Sequence, residues 1–137
     1  MNIHTLPDAI QREREALLKD AIDMLEMLGN HDLTAQDLAG YNEPDELNIP
    51  VLNVHMRPDI CASNQNNDGM VLGVVEVSTD LGEESCGRRW QAFSTWANSH
   101  NSRLHVFVHP EDVHRATEIA QYWHVDPDSI IPVKRTH

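Results

Sequence analysis

The chain has 137 residues, of which 22 are acidic and 10 basic, giving a formal charge of −12 near neutral pH. That length fits one domain, and 40% hydrophobic with 23% charged side chains excludes a disordered tail or a collagen-like polymer. No apolar run nears the roughly 18 residues that span a bilayer, and the N-terminus lacks the basic-then-apolar layout of a signal peptide, so a cytoplasmic protein without membrane contact is expected.

Residues 8–28 carry the strongest helical pattern. Leu17, Ala21, Leu25 and Leu28, flanked by Leu18 and Ile22, form one apolar stripe at the 3.6-residue period. Asp8 followed by Gln11 reads as a capping box, and Gly29-Asn30 as the exit. Arg14 falls near the middle of the stripe, which is unusual for a charge, and a frayed first turn with Arg14 reaching to solvent is expected. Residues 30–50, with Pro44, Pro50 and scattered apolar side chains, read as a long connection containing one helical turn at Thr34–Ala39.

Strand signals follow at Val51–Met56, Asp59–Ala62 and, after a polar turn Asn64–Gly69, the β-branched run Val71–Ser78. The second and third should pair as a hairpin, and all three should form an antiparallel meander. Glu83–Asn98 shows helical spacing through Cys86, Trp90, Phe93 and Ala97. Leu104–Val108 alternates as a strand, Pro110 opens a helix carrying Val113, Ala116, Ala120 and Trp123, and a short strand is expected at Ile130–Val133. The order α-β-β-β-α-β-α-β predicts a single α/β domain, with a mixed central sheet flanked by helices and a parallel addition after the meander.

Two carboxylates stand out. Asp59 follows Arg57-Pro58 at the start of a strand, and Glu76 interrupts the apolar run Val71–Val77. Burying a carboxylate there is costly unless it is paired, hydrogen-bonded or metal-bound. By alternation, Asp59 shares a face with Cys61 and Glu76 with Ser78. A register that brings Asp59 to Glu76 makes a hard oxygen site suited to Mg²⁺ or Mn²⁺. The competing reading is a salt-bridged Glu76, paired with Arg88 or Arg89.

Arg57-Pro58-Asp59-Ile60, then Val74-Val75-Glu76-Val77-Ser78-Thr79, then a helix with Trp90-Gln91 and a strand ending Val106-Phe107-Val108-His109-Pro110 resemble the PD-(D/E)XK nuclease-like, or restriction-endonuclease-like, superfamily. The resemblance covers most of residues 8–133. It implies a restriction-endonuclease-like fold, with Asp59 and Glu76 as metal ligands and the Val77 carbonyl as a third. Glu13 or Glu15 from the first helix would be an accessory ligand. The superfamily lysine, which orients the attacking water and stabilises charge on the phosphate, is replaced by Ser78. Arg14, Arg88, Arg89 or Lys19 would have to supply that charge, and an arginine cannot serve as a base.

The implied function is Mg- or Mn-dependent hydrolysis of DNA phosphodiesters at a degenerate site, with Gln91 positioning a water or phosphate and Arg88 or Arg89 on the backbone. The charge opposes tight DNA binding, since only Lys19 and Lys134 are lysines. The alternative is a non-catalytic binding or regulatory domain, with a protein partner, in which Asp59 and Glu76 pair with Arg14 or Arg57. A homodimer is expected in either case.

Three other patterns have structural readings beside chemical ones. His105, His109 and His114 would form a Zn²⁺ or Ni²⁺ site only if they converged with a carboxylate. Cys61 and Cys86 lack CxxC spacing and read as free thiols. Trp90, Trp96 and Trp123, at helical spacing, read as core or dimer contacts rather than base-stacking platforms.

Overall fold

The computed structural model describes residues 5–64, 67–126 and 129–134. Helix α1 (Thr5–Met27) leads into strand β1 (Asn30–Ala35). A short hairpin of β2 (Leu47–Ile49) and β3 (Val54–Met56) precedes β4 (Ile60–Asn64) and β5 (Asn67–Glu76). Helix α2 (Glu83–Ser99), strand β6 (Arg103–Val108), helix α3 (Val113–Tyr122) and strand β7 (Ile130–Pro132) complete the chain order. The protein is a mixed α/β domain, and its main sheet has five strands in the order β1-β4-β5-β6-β7.

The β1/β4 and β4/β5 pairs are antiparallel, with Ile60 opposite Gly73. The β5/β6 and β6/β7 pairs are parallel, with Glu76 beside Val108. Each parallel step crosses over through a helix. Because both steps move the same way across the sheet, the right-handed crossover rule puts both helices on one face. Leu72, Val74, Val106 and Val108 accordingly pack with Trp90 and Phe93 of α2 and Ala116 and Ile119 of α3. Helix α1 covers the other face, its Leu17, Leu18, Ala21, Ile22 and Leu25 meeting Ile60, Val71, Val75 and Phe107. The expected parallel addition and the β4/β5 hairpin are both present. The turn expected at Asn64–Gly69 is shorter, since Asn64 ends β4 and Asn67–Gly69 begin β5, and residues 65–66 lie outside the described residues.

Several expectations are corrected. Residues 30–50 are not one long connection with a helical turn at Thr34–Ala39, because Asn30–Ala35 is an edge strand and Leu47–Ile49 half of a hairpin. The register of β1 shifts between His31 and Thr34, where Asp32 takes φ +53°. That bulge destroys the alternation by which a strand is recognised. Val51–Met56 is likewise not one strand. Pro50–Leu52 forms a 3-10 turn closed by Asn53 at φ +53°, and Val54–Met56 pairs with β2 outside the main sheet. The meander is therefore β1-β4-β5. Pro110–Asp112 is also a 3-10 turn, and α3 begins at Val113.

Helix α1 starts before Asp8, so the Asp8/Gln11 capping box does not mark its beginning, and Leu28 is 65% exposed rather than part of the buried stripe. Gly29 does leave the helix at φ +90°, a conformation glycine takes without strain. Gly69 is constrained differently: a Cβ there would lie 1.8 Å from the Asn101 carbonyl oxygen, on the turn between α2 and β6. That neighbour is backbone and has little room to yield. Gly69→Ala is expected to lower unfolding stability by about 1–3 kcal/mol, seen as a reduced urea midpoint at unchanged slope.

Candidate functional site

Strand β4 begins one residue after Asp59, and β5 ends at Glu76. Both carboxylates are buried, on the face of the sheet that meets α2. Asp59 is fixed through its neighbours. Its carbonyl accepts the Gln36 amide at 2.8 Å, while the Gln36 side chain donates to the carbonyls of Arg57 and Pro58. Where β4 has stopped, Asp59 Oδ2 accepts the Val75 amide at 3.0 Å and Arg14 Nη1 donates to the Val75 carbonyl at 2.9 Å. Two side chains thus satisfy a stretch of β5 backbone that has β6 on one side and no strand on the β4 side.

The two acids share a cation. Arg89 donates from Nη2 to Asp59 Oδ2 at 2.9 Å and from Nη1 to Glu76 Oε1 at 3.2 Å. Arg14 Nη2 donates to Asp59 Oδ1 at 2.6 Å, and its other nitrogen lies 3.9 Å from Asp80 Oδ2. Glu76 Oε2 accepts the Cys86 thiol at 2.9 Å and the Trp90 indole at 3.2 Å. Every oxygen of the pair therefore has a protein donor, two of them guanidinium groups. Arg14 is no frayed-turn residue reaching for solvent. It leaves the apolar stripe to meet a buried acid, with 32% of its side chain exposed.

Burial pushes the Glu76 carboxyl above its ordinary range, and the Asp59 charge adds to that. Arg89 and the thiol and indole hydrogen bonds pull the other way without overcoming it. The Cys86 thiol is raised to about 12 by burial and then by Glu76, and Cys61 to about 11 by burial. Both cysteines are buried free thiols, held in the protonated, unreactive form.

Other sequence candidates lie apart from this cluster. Gln91 donates to the Trp123 carbonyl at 3.0 Å. Arg88 pairs with Glu84 at 2.9 Å and lies over the Trp123 ring. Glu15 pairs with Lys19 at 3.2 Å. Glu13 meets the buried His109 at 3.2 Å. The Ser78 hydroxyl donates to Asp112 at 2.5 Å, and the Val77 carbonyl closes a turn by accepting the Asp80 amide. Arg57 is exposed. His109 and His114 have separate carboxylate partners, Glu13 and Glu118, and His105 packs edge-on against Phe107. Among the described residues, no group of three or more His, Cys, Asp or Glu is arranged to hold a metal ion, and no helix is long and apolar enough to cross a membrane.

Cys86 and Trp90 were legible only as apolar positions of α2, and Asp80 carried no signal. The clue lay in spacing: Cys86, Arg89 and Trp90 share one helical face, and a buried indole N–H needs an acceptor. Comparison with protein families, with curated proteins and with solved structures finds no match to this chain.

Arg89→Met leaves two buried carboxylates without their shared cation, and a loss of about 3–5 kcal/mol in chemical unfolding is expected. Adding Asp59→Asn and Glu76→Gln to that variant should restore part of it. The pH dependence has a definite sign. Because the folded-state value for Glu76 lies above 4.5, its contribution is complete below that value and lost as pH rises through the folded one. The stability of the wild type relative to Glu76→Gln should therefore fall as pH is raised from 4.5, in urea titrations of both proteins. A difference that grew with pH would show that Arg89 outweighs burial.

Proposed function

We propose that this chain is a non-catalytic binding domain built on a restriction-endonuclease-like fold, its former metal site closed by arginines. The fold assignment rests on the elements around the acids: α1, the β4/β5 hairpin, α2 and the parallel strand β6, with Asp59 ahead of β4 and Glu76 ending β5. The observation that carries the functional reading is that each of the four carboxylate oxygens already accepts from a protein donor, Arg14, Arg89, Val75, Cys86 or Trp90. A divalent cation bound to Asp59 and Glu76 would have to displace Arg89 from both and then sit beside it, at a Coulombic cost that the low-dielectric surroundings increase. As arranged, these residues do not fit Mg²⁺ or Mn²⁺.

Ser78 adds to this. It stands where a lysine would face the phosphate, and its hydroxyl is committed to Asp112. Fold does not fix function, and the acids here act as internal acceptors that tie three elements together.

The second reading, Mg- or Mn-dependent DNA hydrolysis, draws on the same adjacency of Asp59 and Glu76 around one guanidinium. It requires Arg14 and Arg89 to release the acids when substrate and metal arrive. Calorimetric titration with Mn²⁺ separates the two, using wild type, Asp59→Asn and Glu76→Gln, with plasmid cleavage assayed on the same samples. The expected result is no saturable binding and no cleavage by folded wild-type protein. Binding lost in both variants, together with metal-dependent cleavage, would establish the nuclease instead.

A further inference from the structure

Charge is distributed unevenly over this molecule. Between Asp8 and Glu46 there are eleven acidic side chains against three basic ones, Arg12, Arg14 and Lys19. Around the second half of α1 and the loop after β1 this segment places Asp20, Asp23, Glu26, Asp37 and Glu43 against Lys19 alone, whereas Asp45 and Glu46 lead into β2, whose Leu47 packs on the α2 side of the sheet. Two of the segment's three cations are already engaged: Arg14 lies in the buried cluster, and Lys19 is paired with Glu15.

The same segment contains a groove of about 280 Å³ between the second half of α1 and the loop after β1, lined by Lys19, Ile22, Asp23, Leu38, Ala39 and Tyr41. Its floor is apolar, since Ile22 and Leu38 are buried beneath it. Tyr41 stands at the rim, 38% exposed. One turn beyond Asp23, Met27 is 87% exposed, and Leu28 follows it.

We infer that this groove is the docking site for a cationic, amphipathic segment of a partner protein, its apolar side chains on Ile22, Leu38 and Tyr41 and its lysines or arginines facing Asp23 of the lining and the acids beside it on α1 and the loop, Glu26, Asp37 and Glu43. Charge complementarity selects the occupant. An acidic segment or a nucleic acid would be repelled by the field of these acids, whereas an amphipathic helix with a basic face matches both the floor and the acids. The inference deepens the reading of a binding domain and rests on it for purpose, but not for geometry, because the groove shares no lining residue with the Asp59/Glu76 cluster.

The test uses two synthetic peptides of about five helical turns. One is a leucine/lysine amphipathic helix, and the other has the same length and charge with serine replacing every leucine. Each is titrated into isotope-labelled full-length protein at about 0.15 M salt, where long-range attraction is screened. The expected result is saturable binding of the amphipathic peptide alone, with amide shifts confined to the second half of α1 and residues 36–41. Tyr41→Ser and Asp23→Lys, both at exposed positions, should each weaken it about tenfold. Equal binding of the two peptides, shifts centred elsewhere, or no binding would overturn the inference. Failure here leaves the arginine-closed cluster intact, and saturable Mn²⁺ binding at Asp59 and Glu76 would overturn that cluster without touching the groove.

Discussion

Two carboxylates buried at the end of a central strand create a desolvation demand that the surrounding elements have to meet. Asp59 and Glu76 meet it with donors from three directions: Arg14 of α1, Cys86, Arg89 and Trp90 of α2, and the Val75 amide of β5. Because α1 and α2 lie on opposite faces of the sheet, the cluster fixes one helix relative to the other around the strand end. Removing one partner leaves a charge stranded in a low-dielectric site, whereas replacing the whole cluster by well-packed apolar groups can be nearly neutral. Hydrogen bonds and ion pairs tie α1, the end of β5 and α2 to one another through the two acids.

The same cluster explains how the sheet ends. An antiparallel partner that stops early leaves backbone groups on its neighbour, and here Asp59 and Arg14 take up the Val75 amide and carbonyl. The outer strands are managed differently. β1 carries a bulge at Asp32, and β7 is only Ile130–Pro132, ending in a residue without an N–H. Bulges, charge, shortness and proline are devices that discourage pairing with another chain's edge. Met27, Leu28 and Tyr41 are exposed beside the acids of α1 and the loop after β1, while Val51, Leu52 and Tyr122 are exposed elsewhere on the surface.

Much of the framework was legible because its elements obey simple periods. The stripe Leu17–Ala21–Leu25, the run Val71–Val77 and the alternation Leu104–Val106–Val108 each have one buried face, so composition and spacing identify them. β1 escaped because its bulge shifts the pattern within six residues, and β2/β3 because three-residue strands give no period to detect. Arg14 was conspicuous as a charge in an apolar stripe. Its acceptors, Asp59 and the Val75 carbonyl, lie 45 and 61 residues away, a separation no local pattern encodes.

The sequence by itself determined the α/β alternation, the amphipathic faces of α1 and α2, the hairpin that brings Asp59 toward Glu76, and the excess of acidic charge in the first third of the chain. These follow from local periodicity and residue type. Only the tertiary structure decided which cation the two acids face, since Arg88 and Arg89 are adjacent in sequence and rotate to different sides of one helix. Arg89 turns inward to bridge both carboxylates, while Arg88 turns outward to Glu84 and Trp123. That choice, set by a rotation of about 100° per helical residue against the sheet, makes Arg89 the cation shared by the two acids.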